Sequence, residues 1–168
     1  MSDEHEKPLD GIDRIVAQWN RERPDLDVGP MALIGRLGRL REHISRKQEK
    51  VFAAFGLNSA GFDVLATLRR HGAPHALSPG ALMDSMMITS GTVTNRIDQL
   101  EKAGLVSRET NPEDRRGMIV KLTPEGLKLI NAAVAAHVEN QHRLVSHLSA
   151  EERVALDGLL SSFLARLM

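Results

Sequence analysis

The chain contains no cysteine, a single tryptophan and few aromatic residues of any kind. Without thiols there is no disulfide, no cysteine-ligated zinc module and no switch based on thiol oxidation. Charge of one sign is lacking too: 22 lysines and arginines balance 22 aspartates and glutamates. That balance argues against a polycation gripping nucleic acid through phosphates over its whole surface. It leaves room for a binder that works from a local basic cluster. No segment reads as a secretory leader or a membrane-spanning run, so a cytoplasmic protein with no membrane partner is expected.

Catalytic equipment is missing as well. No histidine belongs to the His-Glu-x-x-His pair of zinc hydrolases, no serine sits in a nucleophile elbow, and no glycine-rich loop is laid out for phosphates. His137, His142 and His147 follow one another at intervals of five, which winds them around a helix and keeps them off one face. The sequence predicts neither an enzyme nor a resident metal or cofactor. Its 168 residues suit one domain with a usable core.

What is present is concentrated between Leu77 and Thr123. Ser78-Pro79 reads as a hydroxyl N-cap followed by proline at the first helical position, opening a short helix that ends near Met87. A second helix starts near Thr89-Ser90 and stops at Ala103-Gly104, where glycine is a common terminator. Val93, Ile97 and Leu100 recur at helical spacing and predict a buried face. Opposite them stand Gly91, Asn95, Asp98 and Lys102, flanked by Thr92, Thr94 and Gln99, all small or polar. Two helices joined by a tight turn, the second of them polar, fit a helix-turn-helix that lays its second helix in the major groove. Threonine, asparagine and glutamine hydrogen-bond base edges and phosphates there.

A solvated helix would look the same if taken alone, but the following residues separate the two readings. Leu105 to Thr110 alternates like a strand, and Gly117 to Leu122 is able to pair back with it. The turn between them, Asn111 to Arg116, carries an arginine pair. A hairpin in that place is a wing, and an arginine at its tip suits the negative potential of a minor groove. The candidate DNA contacts are therefore Ser90, Thr92, Thr94, Asn95, Gln99, Arg115 and Arg116, with Asp114 placed to orient Arg116.

The run from Thr92 to Val106 resembles the recognition helix and first wing strand of the multiple-antibiotic-resistance regulator (MarR) family. Asp114-Arg115-Arg116 with Leu122-Thr123 resembles that family's wing signature in full: Asp, one residue, Arg, five residues, Leu-Thr. The resemblance extends from about Met31 to the end of the chain. It implies a mainly α fold with a small β-hairpin, a winged helix-turn-helix with a helical dimerisation region. The domain plan is an N-terminal extension with a short extra helix (1–29), the helical dimerisation region (30–57 and 124–168) and the DNA-binding region (58–123). The implied activity is that of a transcriptional regulator, commonly a repressor, whose homodimer holds a palindromic operator in double-stranded DNA.

The flanking segments fit that plan. Asp10 to Asn20 predicts a short helix with Ile12, Ile15, Val16 and Trp19 on or near one side, broken by residues 21–27. Met31 to Phe55 predicts a long helix with an apolar stripe of Leu33, Leu37, Leu40, Ile44 and Val51. It also carries Arg36, Arg39, Arg41, Arg46, Lys47 and Lys50, a run that usually marks a solvated face. Leu57 to about Arg70 is a helix with core positions Phe62, Leu65 and Leu68. Thr123-Pro124-Glu125-Gly126 opens another that runs to about Leu148, with Ile130, Val134, Val138 and Val145 at approximate helical spacing. Ser149 and Glu152 form a capping box for the last helix. That helix gathers Leu156, Leu159, Leu160, Phe163, Leu164 and Leu167 on a broad apolar face, more than a small winged domain needs. The surplus points to an identical partner chain.

Within the family resembled, a subgroup responding to urate and related purines carries an extra N-terminal helix. The resemblance places a ligand tryptophan at Trp19, an aspartate at Asp63, a recognition-helix arginine at Arg96 and a wing-strand arginine at Arg108. It implies a charge competition: Trp19 stacks on a flat anion such as urate or xanthine, and Arg108 holds its charge. The anion then repels Asp63, which releases Arg96 and tilts the recognition helix. Trp19 read alone is an anchor pinning the extra helix to the body. Two other readings stand beside this one. One is a regulator of the same family answering to another inducer, such as a phenolic carboxylate. The other is a helical protein-interaction dimer without DNA binding.

Overall fold

In the computed structural model of the protein, residues 10–86, 90–111 and 117–168 are described, the stretch 90–92 by its backbone alone. The chain divides into two compact units at the junction of Arg46 and Lys47. Its elements in order are α1 (Gly11–Glu22), α2 (Gly29–Ala53), α3 (Ser59–Arg70), β1 (Ala76–Leu77), α4 (Pro79–Met86), α5 (Ser90–Lys102), β2 (Val106–Thr110), β3 (Met118–Leu122), α6 (Pro124–Leu144) and α7 (Ala150–Ala165).

In the first unit, Asp10 caps α1. Its carboxylate accepts the N–H groups of Ile12 and Asp13, while Asp13 accepts the Asp10 N–H at 2.9 Å, a reciprocal capping box. Arg36 of α2 donates to Asp10 at 2.9 Å and pairs with Asp13, so α1 is tied to α2 through its own cap. The Asp13 backbone N–H, followed by Arg36, holds the Asp10 acid down at about 2. Ile12 packs over Gly35, where an added Cβ would come within 3.1 Å of its side chain. The apolar stripe expected on α2 is open to solvent in part: Leu33 is 57 % and Leu40 55 % exposed.

The second unit holds the core. Phe62, Val64, Leu65 and Leu68 of α3 are buried together with Leu82 of α4, Val93, Ile97 and Leu100 of α5, Val106, Val120, Leu122 and Ile130. Fully burying such a side chain contributes about 1.5–3 kcal/mol. Asn58 caps α3 by accepting the Gly61 N–H at 2.8 Å. The hairpin gains a third strand, because β1 pairs with β3 (Leu77 opposite Val120), giving the antiparallel order β1-β3-β2. Two residues are too few to display a strand period, so this strand left no pattern in the sequence.

The helix after the wing ends at Leu144, four residues before the expected Leu148, with Val145 as its C-cap. Of its stripe Ile130 is buried, whereas Val138 and Val145 are exposed. Phe52 and Phe62 stack on each other at 4.2 Å between ring centroids, and His137 packs tilted against both, at 5.2 and 5.0 Å. The Ser149–Glu152 capping box of α7 is formed in both directions, yet α7 buries none of its side chains.

Candidate functional site

The helix-turn-helix is held by local chemistry at each end. Ser78 Oγ accepts the Ala81 N–H at 3.2 Å and caps α4, where Pro79 is the first helical residue. At the end of α5, Gly104 adopts φ +71°. Its N–H donates to the Glu101 carbonyl and the Leu105 N–H to the Leu100 carbonyl, both at 2.9 Å, the bond pair of a Schellman stop. The stop turns the chain directly into β2. From there the wing strands pair in register from Val106–Leu122 to Thr110–Met118, and the Asn111 N–H reaches the Gly117 carbonyl at 2.8 Å.

The Leu-Thr at the end of the wing has a physical reason in this fold. Leu122 is buried in the core. Thr123 Oγ1 donates to the Gly104 carbonyl at 2.7 Å and accepts the Gly126 N–H at 3.0 Å. Its backbone N–H donates to the Leu105 carbonyl at 3.1 Å. One residue thus caps α6 and fastens the start of that helix to the end of α5. The approach is so close that a Cβ on Gly126 would lie 1.9 Å from the Leu105 carbonyl oxygen.

On α5 the buried face is the expected one: Val93, Ile97 and Leu100 are 1–5 % exposed. Thr94, Asn95 and Gln99 stand exposed on the other side. The side chains of Ser90 and Thr92, and the wing-tip residues Asp114, Arg115 and Arg116, lie outside the described residues.

Asp98 stands on the expected outer side of α5 but is partly covered there and not free. It pairs with Arg108 of β2, which also pairs with Glu101. The Arg108 backbone N–H donates to Glu101 Oε1 at 3.2 Å. The Asp98 carboxylate, then that of Glu101, raises the Arg108 pKa further above its ordinary value. Sequence reasoning missed this pairing. Its trace was two carboxylates three apart on the helix, facing a strand that begins four residues past the helix end.

The other ligand candidates are distributed as follows. Asp63 stands exposed on α3, but crowding by its neighbours is enough that desolvation pushes its acid above the ordinary carboxylate range. Arg96, His137 and Arg70 pull it back. Desolvation pushes His137 down, and Asp63 opposes that shift. Among the described residues Asp63 makes no direct hydrogen bond or ion pair, so its hold on Arg96 acts through space. The two also open onto different clefts. One of about 310 Å³ is lined by Asp63, Thr67, Arg70, Ser85 and Met86. One of about 110 Å³ holds Arg96 with Leu57, Asn58 and Gln99. Arg96 is half-buried at the edge of the α5 core face, as its position on the helical wheel predicts. Trp19 belongs to the first unit, on α1, and is 43 % exposed. Among the described residues no group of three or more histidines and carboxylates is arranged to hold a metal ion, and no helix is long and apolar enough to cross a membrane.

A model of the MarR family matches residues 57–118. Over 149 residues, 89 % of this chain and 90 % of the other, the sequence is 47 % identical to the HTH-type transcriptional regulator PecS of Dickeya dadantii. Among solved structures, AbsC, a MarR family transcriptional regulator from Streptomyces coelicolor, superposes with a TM-score of 0.72. The identity is 25 %, covering 84 % of this chain and 95 % of that one. BpsR of Bordetella bronchiseptica, whose DNA binding is regulated by 6-hydroxynicotinic acid, gives a TM-score of 0.67 at 28 % identity, covering 77 % and 90 %.

Proposed function

This chain belongs to the MarR family of DNA-binding transcriptional regulators, not of enzymes, and from that premise we propose a cytoplasmic repressor whose grip on DNA is weakened by a small aromatic anion, urate or a related purine such as xanthine. The observation that carries the DNA interface is α5. Its apolar face is buried, it ends in a Schellman stop that launches the wing, and it offers Thr94, Asn95 and Gln99 to solvent. With Ser90 and Thr92 these residues meet base edges and phosphates in the major groove. Arg115 and Arg116 reach the adjacent minor groove. Two copies related by a two-fold axis place two such helices about 34 Å apart, which selects a palindromic operator. Residues 30–57 and 124–168 supply the dimerisation region, 58–123 the DNA-binding region, and 1–29 the extension carrying Trp19.

Effector binding acts through Trp19, Asp63, Arg96 and Arg108. An arriving anion competes with Asp98 and Glu101 for the Arg108 guanidinium, and its charge adds to that of Asp63, disturbing the field in which Arg96 sits. A tenfold to hundredfold loss of operator affinity needs only about 1.4–2.8 kcal/mol of preference for the DNA-incompetent shape. Titrating operator DNA with and without urate tests this. Affinity should fall about tenfold or more in the unsubstituted protein. The response should vanish in Trp19→Phe and Asp63→Ser. Unchanged affinity across millimolar urate would remove the ligand and leave the DNA interface standing.

The likeness to BpsR favours a second reading, in which the effector is a hydroxylated aromatic carboxylate and Trp19 serves only as an anchor. Melting shifts across a panel of urate, xanthine and phenolic or pyridine carboxylates separate the two: the effector is the compound that raises the melting temperature. A dimer that never meets DNA does not fit a chain of this family.

The wing supplies an independent expectation. Arg116→Ala should weaken binding to all duplexes alike and make log affinity fall less steeply with log salt, by about one unit of slope. Asp114→Ala should also weaken binding, despite removing a negative charge, because Asp114 orients Arg116. Salt titrations by fluorescence anisotropy read both, and tighter binding by Asp114→Ala would dismiss the orienting role.

A further inference from the structure

The ion pairs between α5 and β2 call for an explanation of their own. Asp98 follows Thr94 by four residues and Asn95 by three, so it shares a side of the helix with two of the residues assigned to the groove. Glu101 lies three residues further along. Two carboxylates beside a DNA-facing surface should repel phosphates and lower affinity. Both are engaged by one guanidinium, that of Arg108, which is about a quarter exposed. The Arg108 main chain is fastened to Glu101 as well, through its N–H at 3.2 Å. The only side chain of β2 joined to α5 by ion pairs among the described residues is therefore also the one that covers the negative charge on that helix.

We propose that Arg108, with no ligand present, is a positioning residue for DNA binding: it clamps the wing strand to the recognition helix and shields Asp98 and Glu101 from the phosphate backbone. This rests on the assignment of α5 as the groove-reading helix and goes beyond the effector role given to Arg108. Arg108 need not touch DNA to do this. It acts through the two carboxylates, so its loss should be felt as uncovered negative charge and not only as a loosened wing.

The prediction is a charge rescue. In ligand-free protein, Arg108→Gln should lower operator affinity by about tenfold and reduce the steepness of its salt dependence by about one unit of slope. The triple variant Arg108→Gln, Asp98→Asn, Glu101→Gln should recover most of the affinity and the original slope. The double variant Asp98→Asn, Glu101→Gln, which keeps Arg108, should bind at least as tightly as the unsubstituted chain. A purely structural clamp predicts the reverse for both multiple variants, because each breaks the same ion pairs. Unchanged binding by Arg108→Gln, no recovery in the triple variant, or weaker binding by the double variant would each overturn the shielding role. If the unsubstituted protein bound no duplex at low salt, the groove assignment would fail and take this inference with it. The variant results alone, with normal binding by the unsubstituted chain, would overturn only the shielding.

Discussion

Gly126→Ala is expected to destabilise the protein by about 3 kcal/mol or more, a drop in melting temperature of roughly 10 °C for a domain of this size. Burial of a glycine is not the cause. The cause is the identity of the atom the new methyl would meet. A Cβ there lies 1.9 Å from the Leu105 carbonyl oxygen and 2.9 Å from its carbon, so the obstacle is backbone and cannot rotate away. Relief requires α6 to back off from the α5–β2 turn. Doing so strains the Thr123 N–H bond to that same Leu105 carbonyl and the Thr123 Oγ1 bond to Gly104. Both attachments converge on this point and would be stretched together, which places the change in the destabilising tail of point substitutions. Gly158→Ala is the matched control. That glycine lies within α7, and a Cβ on it meets nothing within 4 Å, so alanine there should raise stability by about 0.5–1 kcal/mol through helix propensity. Thermal unfolding by circular dichroism reads both. A melting temperature for Gly126→Ala within about two degrees of the parent, a shift of about 1 kcal/mol or less, would mean the junction yields easily.

The same junction explains what was legible in the sequence. Caps and stops are local: Ser78 before Pro79, Gly104 after Ala103, Thr123 before Pro124 and Ser149 before Glu152 each act within about five residues. A reader of the sequence therefore sees cause and effect together. The buried faces of α3 and α5 follow from helical spacing for the same reason. The chain hides whatever depends on distant partners. Asp98 reads as an outward polar residue because nothing along α5 announces that Arg108 will fold back onto it. Asp10 reads as a helix start, and its second bond, to Arg36 twenty-six residues on, has no local trace. His137 against two stacked phenyl rings, and the buried Asn140 three residues later, depend on how α6 meets Phe52 and Phe62. Resemblance alone points to Asp63 and Arg96, and their electrostatic coupling without a direct bond is visible only in three dimensions.

Substituting glutamate for both Leu160 and Phe163 is expected to turn the protein into a monomer and to cut operator affinity about a hundredfold or more. The starting point is a mismatch within α7. It is a well-made helix, with its capping box closed in both directions, yet it buries no side chain in its own chain. Val154, Leu159 and Leu167 are 70–74 % exposed, and Leu156, Leu160, Phe163 and Leu164 are 36–59 % exposed. At 100° per residue, Leu156, Leu160 and Phe163 fall within one narrow sector, flanked by Leu159 and Leu164, and Leu167 follows just past the helix end. A sixteen-residue helix is marginal in water without packing, and this much contiguous apolar surface is unusual on a lone chain. A second copy meeting it face to face would satisfy both chains with one self-complementary patch. Glutamates at Leu160 and Phe163 would place two charges per chain in the middle of that patch, where neither is able to stay hydrated. The DNA effect then follows from valency: a dimer binding both half-sites gains the effective concentration of its second helix, and a monomer loses it. Light scattering gives the oligomeric state, and gel shifts on a full palindrome and on an isolated half-site give the affinities. The substituted protein should prefer the palindrome no more than the half-site, apart from a statistical factor of about two, because it has no second helix to place. A variant that stays dimeric would move the interface away from α7. A monomer that still holds the palindrome at full strength would mean that α5 needs no partner.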